Sequence, residues 1–290
     1  MRPVRALLVY LAVVFLGGAL LAPWLYFLAQ WAAPHSGLAA HPFHRFLDRS
    51  LLGLALIGLW PFLRVGRMNS WRQLGLPPFR PHRAEFARGC LIGIFSLWTI
   101  GAAAVACGAR TVTMHHGGLA GALAAMIGTA VLVSVLEELL FRGALFGLLR
   151  QSFSWPTALV VSSVIFGLAH FLQKADLPGP VTWRSGLELL PGMFRNFADF
   201  QALIPAFLNL TLVGAALALA YQRTGALYCS LGLHAAWIFS LKFFFFTSDP
   251  APRAALWLWG SGNILDGWMV APGLVAAILL IVRWTPAPVP

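Results

Sequence analysis

Apolar runs long enough to cross a lipid bilayer recur along the whole chain, and no other feature restricts its fold so strongly. About eight such runs lie near residues 4–28, 46–63, 87–108, 119–148, 155–172, 203–222, 226–246 and 265–283. Roughly 20 apolar residues in helical form span a bilayer core, and only helices and closed barrels satisfy every backbone polar group there. The expected fold is therefore all-α, a polytopic transmembrane helix bundle of about eight spans. Composition agrees, with hydrophobic residues at 59% and charged ones at only 10%.

The net charge of +11 does not indicate a nucleic-acid partner, because the basic residues sit mainly between the apolar runs, where they flank a membrane. The lipid bilayer is the expected environment. Arg64, Arg67, Arg72, Arg80, Arg83 and Arg88 crowd the segment between the second and third runs. The positive-inside rule makes that segment cytoplasmic. Alternation then puts both termini inside, in accord with Arg2, Arg5 and Arg283, and the 173–202 loop outside despite Lys174, Arg184 and Arg195. The first run, "MRPVRALLVYLAVVFLGG", is long and lacks a convincing small-residue cleavage site, so it is expected to be retained as a helix. Cys90, Cys107 and Cys229 are widely spaced without a CxxC pair and suggest neither a disulfide framework nor a metal site. His115 and His116 are expected in a loop. A short Pro-rich tail, "TPAPVP", closes the chain.

Seven of the nine acidic residues fall in loops or at the ends of runs. Glu137 and Glu138, in "SVLEELLFRGALFG", lie well inside one. An ionisable residue in a span costs at least a few kcal/mol, so it points to a site facing the bundle interior with a partner. Glu138 and Arg142 are four apart and share a helix face, with the acid on the favourable N-terminal side. Glu137 is turned about 100° away and needs another companion.

Two of the eight histidines, His170 and His234, are embedded in apolar runs. Glu137 and His170 are placed symmetrically about the turn-like "QSFSWP", so an antiparallel hairpin brings them level. His234 lies at a compatible depth in the seventh run. A lone helical histidine is most often a packed core residue. Two of them beside an intramembrane carboxylate favour a site able to bind a metal or move a proton, because each further buried polar group adds a cost that packing does not require.

These residues resemble the CPBP family of intramembrane proteases, also called the CAAX protease and bacteriocin-processing, or Abi, family. "EELLFR" (Glu137, Glu138, Arg142) corresponds to its EExxxR motif, "FGLAH" (Phe166, His170) to FxxxH, and His234 to its third motif. "WRQLGL" (Trp71 to Leu76) looks like a segment that often precedes the core in bacterial members. The third motif usually reads HxxxN, and position 238 here is Ile. The resemblance implies an intramembrane endopeptidase in which Glu137 is the general base on a water. His170 and His234 then either hold zinc together with Glu137 or orient water and oxyanion without metal. Glu138 with Arg142 braces the helix. Asn209 is the best-placed amide to replace the missing Asn as an oxyanion donor. The implied domains are 1–118, N-terminal helices with the basic loop; 119–246, the protease-like core; and 247–290, a C-terminal helix and tail. The implied substrate is a peptide or membrane-protein segment, and the implied location is the cytoplasmic membrane of a bacterium, as a multi-pass integral protein.

Other protease classes fit less well. HExxH is absent, and "LDG" at 265–267 stands without the partner motif that site-2 metalloproteases require. No span interior holds an Asp, and no GxSG serine lies in a helix. A proton-coupled transporter could use the same Glu, His, His set, but the chain shows no repeated half and no pair of broken helices. A non-catalytic scaffold or immunity protein on the same fold is the remaining alternative, because of Ile238.

Overall fold

A computed structural model describes the chain except residues 1, 114–117, 173–175, 178, 196–199, 253, 261–263 and 286–290, and the side chains of 2, 3 and 200–202. His115, His116, Lys174 and the Pro-rich tail beyond Thr285 lie outside the described residues. Contacts group the chain into two compact units, Met1–Asn69 with Phe171–Phe200, and Ser70–His170 with Gln201–Pro290.

The first unit holds α1 (Arg2–Ala12), a π-helical turn at Val13–Gly17, α2 (Gly18–Ala32) and α3 (Phe43–Val65). Apolar helix runs from Val4 to Ala32 without a break. Pro23 lies inside it and lacks the N–H that would bond the Ala19 carbonyl. On that carbonyl packs Gly186, where a Cβ would collide with Ala19 O. Gly186 belongs to a short helix within the 173–202 segment, where the sequence predicts a loop.

The second unit contains the remaining long helices. In chain order the elements that follow α3 are α4 (Phe79–Ala106), β1 (Arg110–Val112), α5 (Leu119–Glu137), a π-helical segment Glu138–Phe146, α6 (Gly147–Leu149), α7 (Trp155–Ala169), α8 (Ser185–Met193, the short helix just described), α9 (Phe200–Thr224), α10 (Tyr228–Thr247), β2 (Ser248–Pro250), α11 (Leu256–Trp259), a 3-10 turn Ile264–Asp266 and α12 (Val270–Trp284). Among the described residues six helices are long and apolar enough to cross a membrane, and α7 and α12 are shorter apolar helices. The all-α polytopic helix bundle is thus observed, and the six long helices with α7 and α12 are consistent with about eight spans. α4 begins at Phe79, before its apolar run, so Arg80, Arg83 and Arg88 ride on a helix rather than in a loop. Pro81 permits this because it sits in the first turn, where its missing N–H has no helical acceptor.

α10 packs against α4 and α5. The approach to α4 depends on two glycines, since a Cβ at Gly89 would strike the Cys229 carbonyl and one at Gly232 would strike the Phe86 carbonyl. Small residues let helix backbones meet in this way where lipid removes the hydrophobic drive for association. α7 and α9 meet similarly through Gly167 against Thr211 and Gly214 against Ser163. The far ends of α4 and α10 are tied by β1 and β2, which pair antiparallel with Arg110 opposite Pro250. Buried Arg110 donates from Nε to Ser248 Oγ at 3.0 Å and from Nη2 to Ser248 O at 2.6 Å. The three cysteines are free.

Candidate active site

α5 delivers Glu137 as its last residue, and at Glu138 the backbone widens into the π-helical segment. The extra residue per turn shifts what faces inward, and such π stretches often mark functional positions. Glu138 is 0% exposed and Arg142 2%. Arg142 Nη1 lies 3.1 Å from Glu138 Oε1, Nη2 donates to Gly214 O at 3.2 Å, and the guanidinium carbon sits 4.4 Å from the Phe166 ring centroid. The predicted pair forms, and it is completely buried.

The turn at 150–154 reverses the chain into α7, whose end presents His170. Its Nε2 lies 3.8 Å from Glu137 Oε2. The other nitrogen, Nδ1, is 2.8 Å from the Phe166 carbonyl. A carbonyl only accepts, so Nδ1 carries the hydrogen and Nε2 turns a lone pair towards Glu137. α10 supplies His234, with Nε2 also 3.8 Å from Glu137 Oε2. Its Nδ1 is 3.0 Å from Glu138 Oε1. The same logic applies, since an ionised carboxylate held by Arg142 is an acceptor. The Glu138 oxygen therefore fixes Arg142 on one side and His234 on the other.

Three electron-rich atoms thus converge, Glu137 Oε2 and two imidazole Nε2 atoms. Glu137 Oε2 is buried and no described residue donates a hydrogen bond to it. The separations are too long for direct hydrogen bonds and short enough for one shared water. Zinc bonds of about 2.05 Å give tetrahedral edges of about 3.3 Å, so the two 3.8 Å separations are about half an ångström wider than such a site, and no group of three His, Cys, Asp or Glu among the described residues is arranged to hold a metal ion.

The trio opens into a cavity of about 210 Å³ that is otherwise mostly apolar and is also lined by Phe166 and Ile238. Glu137 and His170 keep partial exposure, at 24% and 32% of their side chains, while His234 is down to 7%. Asn209 does not serve the expected donor role. Its Nδ2 gives one hydrogen to Leu265 O at 2.7 Å and the other to Gly267 O at 2.9 Å, leaving none for an oxyanion. It instead ties α9 to the 3-10 turn, whose Leu265 forms part of the cavity wall. "WRQLGL" docks on the same unit: Gly75 accepts a hydrogen bond from Leu227 N at 2.8 Å and takes a φ of +83° against Tyr221, which only glycine adopts readily.

Sequence reasoning missed two polar members of this cavity lining, Ser96 and Trp237. A serine in a span is usually satisfied by its own helix, and an indole reads as packing, so neither carried a signal. A comparison with protein-family models matches residues 119–240 to the Rce1-like family, described as type II CAAX prenyl endopeptidase Rce1-like. Neither the curated proteins nor the solved structures give a match.

Proposed function

Given that residues 119–240 belong to the Rce1-like family, which is the CPBP or Abi family of CAAX-type intramembrane endopeptidases, we propose that this protein hydrolyses a peptide bond inside the membrane with a water activated by Glu137. The observation that carries the reading is the convergence of Glu137 Oε2 with two imidazole lone pairs, each 3.8 Å away, at a mostly apolar cavity.

Glu137 Oε2 accepts a proton as the water oxygen attacks the scissile carbonyl carbon, and the same carboxyl group delivers that proton to the leaving amine nitrogen. His170, held by the Phe166 carbonyl, directs its Nε2 lone pair at the water's second hydrogen. His234, whose Nδ1–H is held by the Glu138 carboxylate, offers its Nε2 lone pair as the alternative acceptor for that hydrogen. On this reading the water gives one hydrogen to Glu137 and the other to an imidazole, and the reaction runs on the chain's own groups. The products are a new carboxylic acid and a new amine, which become carboxylate and ammonium by passing one proton between them. The family description favours lipidated C-terminal peptides of CAAX type as substrates, and the apolar cavity suits a segment delivered from the bilayer.

Ile238 favours one other reading, a non-catalytic protein on this fold, because its side chain lines the cavity where an amide would donate and cannot do so. Turnover of a farnesylated reporter peptide by purified protein, absent in Glu137→Gln, supports the enzyme. An inert wild type supports the scaffold.

A further inference from the structure

The cavity wall holds five polar residues among those that line it: Glu137, His170, His234, Ser96 and Trp237. The first three are committed to the water. Ser96 and Trp237 form a separate pair, in which Trp237 Nε1 donates to Ser96 Oγ at 2.9 Å. The oxygen accepts the indole hydrogen, so the hydroxyl's own hydrogen must point elsewhere. It is directed at Gly93 O at 3.2 Å, a long bond to a carbonyl one turn back in α4. That carbonyl lies inside a helix and has an α-helical N–H donor of its own, so the hydroxyl can leave it at little cost.

Trp237 in α10 and Ser96 in α4 line the same cavity as the reacting groups. Trp237 is three residues after His234 and Ile238 is four after it, which puts both on the histidine's face. Helical side chains lean towards the N-terminus, so the indole covers the turn that carries His234. An apolar cavity magnifies the value of any donor aimed into it.

We propose that Ser96, with its hydroxyl polarised by the Trp237 indole N–H, donates a hydrogen bond to the substrate's reacting carbonyl oxygen and supplies the donor that Ile238 cannot. Ser96 is on this account a catalytic residue and Trp237 a positioning residue. The inference rests on the proteolytic reading above. On substrate entry the hydroxyl rotates from Gly93 O to the carbonyl, and the bond tightens as negative charge develops on that oxygen. The chain of two donors, indole to hydroxyl to carbonyl, makes the hydroxyl a stronger donor than a serine alone.

The test is steady-state cleavage of the reporter peptide by wild type, Ser96→Ala, Ser96→Cys, Trp237→Phe and the double variant Ser96→Ala/Ile238→Asn, with thermal unfolding of each. Ser96→Ala is expected to lower kcat about 100-fold with KM within about twofold, and Trp237→Phe about 10-fold. Ser96→Cys keeps the side-chain shape with a weak donor, so it reports the same loss of kcat should the alanine variant fail to fold. Adding Asn at 238 to Ser96→Ala is expected to restore kcat at least about 10-fold, which no packing role for Ser96 predicts. An active wild type whose Ser96 variants cleave normally overturns this inference and leaves the proteolytic reading intact. Loss of kcat in proportion to unfolding, with no rescue by Asn at 238, also overturns it. An inert wild type overturns both.

Discussion

Replacing Glu138 by Gln separates charge from shape at the centre of the bundle. Glu138 is fully buried, and its Oε1 faces Arg142 Nη1 at 3.1 Å and His234 Nδ1 at 3.0 Å. The amide keeps an acceptor oxygen but leaves the buried guanidinium without a counter-charge. Removing one partner of a buried pair costs about 3–5 kcal/mol. Arg142 retains its bond to Gly214 O and its place over the Phe166 ring, and Gln can still accept a hydrogen bond, so the expected loss is at the low end, about 3 kcal/mol. Because His234 keeps an acceptor too, turnover should fall only about 10-fold. Denaturant titration in mixed micelles, followed by circular dichroism, measures the stability. The partner experiment is Glu138→Gln/Arg142→Met, which buries no uncompensated charge and should be more stable than Glu138→Gln alone by about 1 kcal/mol or more. A single variant within about 0.5 kcal/mol of wild type, or losses that simply add in the double, would refute the reasoning.

Asn209→Ala removes the two bonds to Leu265 O and Gly267 O and should cost about 1–3 kcal/mol in the same titration; an unchanged midpoint would show that the 3-10 turn is held by other contacts. Gly232→Ala drives a methyl into the Phe86 carbonyl and should prevent folding in detergent or the membrane, read as loss of a monodisperse peak on size exclusion. Purified wild type should contain well under one equivalent of zinc by elemental analysis and keep its turnover after dialysis against a chelator. Stoichiometric zinc whose removal abolishes turnover would reverse the metal-free mechanism.

The sequence exposes the architecture because bilayer length and hydropathy leave few choices: all eight apolar runs appear as helices, and the 33-residue spacing of Glu137 and His170 about one turn correctly brings them together. What it concealed is of two kinds. Helical-wheel reasoning assumes α geometry, so it had no means of anticipating the π-helical segment that starts at Glu138. It matched Glu138 with Arg142 but overlooked that one Glu138 oxygen also holds His234, a contact between residues 96 apart. Asn209 illustrates the second kind. Its depth in a span marked it as important, yet its acceptors are carbonyls on a turn more than 50 residues away, which no local pattern announces. The helix in the 173–202 segment escaped because its nine residues are too few to print a clear periodicity.

Cleavage in ¹⁸O-labelled water tests the central claim most directly. Purified wild type and Glu137→Gln are incubated side by side with the reporter peptide, and the products are read by mass spectrometry. The account predicts one ¹⁸O in the newly formed carboxylate with wild type and no product with Glu137→Gln. The variant should also be at least as stable as wild type, since its amide can donate towards the lone pairs of His170 and His234 where the carboxylate could not. Labelled product formed by Glu137→Gln at the wild-type rate would contradict the account, because the water would then be activated by some other group.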